Sequence, residues 1–448
     1  MQSVDKDIKK PRSLVRFIGK AVLFVALFGA LSMATVYIVF WLMDRSETIA
    51  ARKDGIAMDP VDLNRGVVAP QDNAAPLYRD AINRLSEVDA KGFSEGKALA
   101  FRVSRRPDPK GIEREKALLL PYQPALAIVE LASTKPRCEF NRDLSQGNKF
   151  STPEYDPLKH LTKFECIVAE MAAANGNDDQ AVHHLQVAAR LASDIGSDPT
   201  FEAEQASISA QGMVQRSLVG LINRGARNSA FLDGIQRFLD SLPAQKNLRF
   251  YAEGDLVLNR VIIHQLPSLS LPEVRELMAS TGDDPEKEKV AKLIRSRILN
   301  PLFDADFVSL YRTFIKALPI DDSNWPAIRL AGIRADVTSS NSTIASLYTT
   351  MFARQLLALS SSAVKSLTRR RLTNVAVRIL QLQTASGALP EAMPDYGLLS
   401  IDPFTGKRFQ YQKLATGFRV FSVGPDGKSN GISNSQDLVL NVTAAHAS

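Results

Sequence analysis

"DPLKHLTKFECIVAEMAAANGNDDQAVHHLQVAARLASDI", residues 156–195, carries two amphipathic helices separated by a turn. Leu158, Leu161, Val168 and Met171 recur at helical spacing and mark the apolar face of the first. Asn175-Gly176 then supplies residues that tolerate the left-handed conformation in which helices end. Asp178 stands where an N-cap is expected, and Leu185, Ala188, Leu191 and Ile195 line one side of the second helix. The pattern predicts an antiparallel helical hairpin, and with it a mainly α-helical fold.

Working outward, helical patterning occupies 73–85, 111–133, 201–224, 229–242, 245–265, 272–280, 284–299 and 303–317. Pro121 and Pro124 must interrupt or kink the second of these, because proline removes a helical donor and clashes with the preceding turn. Residues 319–340 read as a connector, and a long helix follows from about Thr343 to Ser386. In its middle, Arg369, Arg370 and Arg371 face different sides of the helix, the pattern of a solvated, partly salt-bridged surface. The segment "AEMAAANGNDDQAVHHLQVAARLA" (169–192) resembles a tetratricopeptide-type hairpin in its small residues and Gly-Asx turn. No second copy recurs at a fixed period, so one hairpin within an irregular α-domain is expected and a solenoid is not.

The chain has 448 residues and a formal net charge of +7. Within residues 1–20, Lys6, Lys9, Lys10, Arg12, Arg16 and Lys20 oppose only Asp5 and Asp7, which leaves just +3 for the rest. Charge so distributed is not a phosphate-binding surface, and no nucleic-acid partner is expected. The basic tail is followed instead by "AVLFVALFGALSMATVYIVFWLM", Ala21 to Met43, without a single charge. At 1.5 Å per residue this run reaches about 34 Å as a helix, enough to cross the bilayer's hydrocarbon core. A cleaved signal peptide would have a shorter apolar run and a small-x-small site, whereas this one ends in Trp-Leu-Met-Asp. The expected arrangement is a cytoplasmic tail (1–20), a retained membrane anchor (21–43) and a polar stalk (44–73). An α-helical domain (74–342) and a C-terminal module (343–448) complete it, both outside a bacterial cytoplasmic membrane by the positive-inside rule. Ala26, Ala30 and Ala34 recur every four residues, a spacing that admits self-association of two such helices.

After Gly387 the character changes to turns and short alternating strands. "FRVFSV" (418–423) and "DLVLNV" (437–442) read as strands, and "ATG" (415–417) as a hairpin loop after "RFQYQK". The ordered pieces "ASGALP" (385–390), "DPFTGKRFQY" (402–411), "FRVFSVGPDGKSNG" (418–431) and "QDLVL" (436–440) resemble the globular end of major pseudopilins of bacterial type II secretion systems. The resemblance covers about 70 residues and implies a small α+β module. It also implies a terminal calcium loop, here Asp426, Asn430 and Asp437. Alternating Asp and Asn around Gly431 is one way to gather oxygen ligands, and an Asp-Gly turn at Gly424–Gly427 is the other reading. The chain departs from that family in its acid-free span and in the roughly 300 helical residues before the tail, so a module is shared and not the whole protein.

Cys138 and Cys166 are the only cysteines. They fit either one disulfide closing a 29-residue loop or two buried thiols. The histidines, His160, His183, His184, His264 and His446, show no paired metal-ligand spacing. No nucleophile elbow, phosphate-binding loop or dinucleotide fingerprint occurs either. The composite expectation is a membrane-anchored scaffold that binds protein partners outside the cytoplasm. Membership of a secretion or pilus-like assembly, or an enzyme site built from scattered residues, are the alternatives.

Overall fold

The structure, a computed structural model, describes residues 12–63, 66–90, 109–224, 228–243, 246–277, 285–318, 344–424 and 438–443. These contain thirteen α-helices and a three-stranded antiparallel sheet, so the fold is mainly α with a small β element at its C-terminal end. The described chain divides into two units. One comprises residues up to Ile56 together with 260–309, and the other comprises 57–259 and 310–448.

In the first unit, helix α1 (Arg12–Lys53) is long and apolar enough to cross a membrane. Its apolar side chains, including Leu23, Phe24, Leu27, Phe28, Leu31 and Ile38, are exposed on every side, as a lipid-facing helix requires. The stalk expected to begin at residue 44 is corrected here, because α1 continues unbroken to Lys53. Residues 44–53 hold neither proline nor glycine, and Arg52 and Lys53 sit in the last turn, where cations complement the helix dipole. The helix stops at Gly55, which is left-handed (φ +71°), with the Ile56 N–H donating to the Ala51 carbonyl at 3.1 Å. This unit also holds the end of α9 (Leu248–Gln265), α10 (Leu271–Leu277), α11 (Pro285–Ile294) and the start of α12 (Asn300–Ala317).

The second unit is organised on the hairpin read from the sequence, now α5 (Tyr155–Ala174) and α6 (Asp178–Ile195). Gly176 (φ +78°) turns the chain, and the Asn177 N–H reaches back to the Ala172 carbonyl at 2.9 Å. Asn177, rather than Asp178, occupies the N-cap position, and Asp178 opens the helix beside the positive dipole end. Leu158, Leu161, Phe164 and Ile167 are buried with Ala181, Leu185, Ala188, Leu191 and Ile195, whereas Val168 and Met171 are only half-buried. Helix α7 (Phe201–Arg224) packs across both members of the hairpin, and its Ser217 hydroxyl donates to the Cys166 carbonyl at 3.3 Å.

The remaining helices of this unit are α2 (Ala75–Ala90), α3 (Pro109–Leu119), α4 (Gln123–Ser133) and α8 (Ser229–Ser241). A 3-10 turn at Leu120–Tyr122 separates α3 from α4, the interruption that Pro121 demands. Helix α13 (Ile344–Ser386) packs on α7 and α8. Leu372, Val375, Ala376, Val377, Ile379 and Leu380 are all buried, so this stretch is enclosed around most of its circumference.

After α13, Asp402 organises the turn in "DPFTGKRF". Its side chain accepts from the Phe404 N–H and the Ser422 hydroxyl, both at 2.9 Å, and its own N–H donates to the Lys407 carbonyl. Strands β1 (Gln410–Leu414), β2 (Gly417–Ser422) and β3 (Leu438–Thr443) then form a sheet in chain order, with β3 at an edge. The loop between β1 and β2 is only Ala415-Thr416, because Gly417 already pairs with Leu414.

Candidate functional site

A groove of about 680 Å³ opens between α7, α13 and β3. Helix periodicity builds its first wall. Gly212, Gln215, Arg216, Val219, Gly220 and Asn223 recur at intervals of three and four, and so share one face of α7. The two glycines keep that face shallow, while Arg216 projects from it and is exposed. Arg369, Leu372 and Thr373 of α13 supply the floor, and residues 438–441 and Thr443 the far side.

Arg216 and Arg369 dominate the electrostatics. No carboxylate pairs with either guanidinium among the described residues. Desolvation by its surroundings, and then the like charge of Arg216, pull the Arg369 guanidinium below its usual value although its side chain still reaches solvent. Lys163 of α5 is similarly lowered, first by burial and then by Arg216. Gln215, another lining residue, keeps its Oε1 atom buried and without a hydrogen-bond partner. The arrangement favours an incoming anion, which would restore charge balance.

The strand edge adds directional polarity. The Asn223 carboxamide donates through Nδ2 to the Asn441 carbonyl at 3.3 Å and accepts the Thr443 N–H through Oδ1 at 3.2 Å. Asn223 therefore occupies the place of a fourth strand at that end of β3. The two-residue period of a strand points the N–H and C=O of Val439 along the same edge. Leu438 and Leu440 present their side chains on the face opposite to exposed Val439 and Asn441.

Two polar clusters lie away from this groove. In the first unit, buried Asp304 of α12 accepts from Arg260 Nε at 3.0 Å and Nη2 at 2.8 Å, and lies 3.0 Å from His264 Nε2. Burial opposes ionisation of Asp304, but hydrogen bonds from His264 and Arg260 outweigh it and hold the carboxyl well below the usual range. The hydrogen bond to Asp304 outweighs burial at His264 and raises its pKa. Arg260 Nη2 also reaches the Thr48 hydroxyl at 3.3 Å and Asp44 at 4.0 Å, which ties α1 just beyond its apolar run to α9 and α12. In the second unit, Arg142 bridges Asp198 at 2.6 Å and Glu154 at 2.7 Å while its guanidinium stacks on Phe140 and Tyr155. Both clusters brace helices and loops against one another.

The structure places the sequence-predicted residues as follows. Asp426, Asn430 and Asp437 lie outside the described residues, and among the described residues no cluster suited to a metal ion occurs. Cys138 and Cys166 are free thiols rather than a disulfide. Cys138 senses Asp194, Ser197 and Asp198, whereas Cys166 senses Glu170, Glu165 and Arg216, and burial pushes both thiols up. His184 Nδ1 pairs with Glu165 Oε2 at 2.8 Å, and His183 Nε2 with Glu130 Oε1 at 2.7 Å, so each imidazole engages its own carboxylate.

The arginine triplet is corrected in part. Arg370 donates to the carbonyls of Pro243 and Leu242, Arg371 is buried and donates to that of Ile401, and only Arg369 is exposed. Arg369 stands out in the sequence as one of a triplet, whereas Arg216 does not. The signal was present in the small and polar face of α7, but nothing local says that α13 and β3 stand opposite it. No protein-family model, curated protein or solved structure matches this chain.

Proposed function

We propose that this protein is a membrane-anchored scaffold that binds other proteins outside the cytoplasm of a bacterial cell, with its basic N-terminal tail inside. The observation that carries the reading is the composition of the groove. Its described lining residues offer two unpaired arginines, amides, apolar side chains and a strand edge, but no Asp, Glu, His, Cys, Lys or Tyr. A site so built can hold a ligand, yet none of its described lining residues has an ordinary pKa suited to general acid–base work near neutrality. Orientation rests on the basic residues preceding the apolar run.

Two measurements test the reading on the full-length chain. Protease added to spheroplasts should degrade the chain beyond α1 and spare an N-terminal epitope tag, and the reverse pattern overturns the orientation. Cross-linking in intact cells, followed by isolation, should enrich envelope proteins above a control carrying α1 alone. Equal recovery from both overturns the scaffold reading.

A second reading is participation in a secretion or pilus-like assembly. It draws on the long helix followed by a three-stranded antiparallel sheet at the C-terminal end. Cross-linking that recovers envelope proteins but no secretion component removes it.

A further inference from the structure

We infer that the groove between α7, α13 and β3 receives an extended, acidic peptide segment of a partner protein, seated as an added strand beside β3. This inference rests on the scaffold reading and names the chemistry of its ligand.

The charge of the groove points to an acidic ligand. Arg216 and Arg369 line one cavity, repel one another, and meet no carboxylate of the described chain. A ligand carboxylate between them would form charge-assisted hydrogen bonds, the stronger class of such bonds. The strand edge points to an extended one. Proteins ordinarily cover, charge or interrupt a free edge, because it templates pairing with another chain. Here Asn223 closes the edge at Asn441 and Thr443. The edge at Val439 carries no proline or charged side chain, and Val439 itself is 36% exposed.

The paired arginines and the strand edge together favour a peptide over a compact anion. Phosphate would use the guanidinium groups alone. An extended peptide would use them through side chains on its α13-facing side, and would use the Val439 N–H and C=O through its own main chain. Its remaining α13-facing positions would meet Leu372, Leu438 and Leu440, so alternating acidic and apolar residues on that side suit the groove.

The test uses the full-length chain in neutral-lipid nanodiscs and a fluorescent, end-capped peptide, Thr-Glu-Thr-Leu-Thr-Glu-Thr, followed by anisotropy. Saturable binding is expected, weakened at least tenfold when both glutamates become glutamine. A comparable loss is expected when alternate peptide nitrogens are methylated, because methylation removes strand donors and leaves charge unchanged. R216Q combined with R369Q should weaken binding at least tenfold. Val439→Pro should do the same without lowering the melting temperature, since that N–H faces away from β2. Equal binding of the glutamine peptide, or undiminished binding by the arginine double variant, overturns the proposal. So does tight binding of the methylated peptide together with its displacement by inorganic phosphate or by anionic vesicles, which would make the groove a simple anion or headgroup site. Loss of peptide binding while cross-linked partners persist rejects this inference alone. Peptide binding without any cross-linked partner rejects the scaffold reading instead.

Discussion

Arg260 and Asp304 form a two-pronged ion pair in which the carboxylate is completely buried and the guanidinium side chain is 8% exposed. Removing one member of such a pair strands the other in a poorly solvated site, and this costs more than the intact pair contributes. Asp304→Asn should therefore destabilise the first unit by about 3 kcal/mol, with His264 losing its hydrogen-bonded carboxylate and Arg260 keeping only the more distant Asp44. Thermal unfolding of the full chain in detergent, followed by circular dichroism, reads the loss. A melting temperature within a degree of wild type contradicts it.

The same cluster gives stability a defined pH window. His264 is raised in the folded chain, so its contribution is complete below its unfolded value of about 6.5 and fades as pH climbs through the folded one. Asp304 is lowered, so its contribution is present above about 3.9 and disappears as pH falls through the folded value. Melting temperature should peak between these limits. His264→Gln should remove part of the alkaline decline and also shrink the acid-side contribution, because the His264 hydrogen bond helps hold Asp304 low. The effect is modest, because the imidazole is half exposed and water screens the pair. Identical alkaline limbs in the two proteins overturn the assignment.

Gly254 of α9 lies directly against the loop before α7. A β-carbon there would fall 1.8 Å from the Pro199 carbonyl oxygen, and that atom belongs to backbone that cannot swing aside. Alanine ordinarily stabilises a helix interior by up to about 1 kcal/mol over glycine. Forced displacement of packed backbone outweighs that gain, so Gly254→Ala should cost about 2 kcal/mol net. A neutral or stabilising result in chemical denaturation shows that the approach is looser than described.

The cysteines make a prediction that needs no mutation. Burial raises the Cys166 thiol and leaves little reactive thiolate near neutrality. In the native chain Cys166 should resist iodoacetamide for hours. After denaturation without reductant, mass spectrometry should find both cysteines alkylated. Two unmodified residues under those conditions mean that the chain carries the bridge.

Local pattern made much of the fold legible. The Asn175-Gly176 break separated α5 from α6, and Pro121 falls in the 3-10 turn between α3 and α4. The alternation in "FRVFSV" marked β2 to within one residue. Residues 44–53 misled because their polarity resembles a stalk. Polarity does not break a helix, however, and the chain turns only at Gly55. Arg370 and Arg371 misled for a related reason: a charged triplet suggests solvent, but long guanidinium side chains also reach carbonyls across a packed interface.

A helix long and apolar enough to cross a membrane, the helical class and the strand-forming tail all follow from composition and spacing within a few turns of chain. The candidate site exists only once the chain is folded. Arg216 and Arg369 are more than 150 positions apart, and Asn223 meets Thr443 across 220. Folding alone brings such residues within reach of one ligand, since no local periodicity encodes which helix face will stand opposite which strand edge.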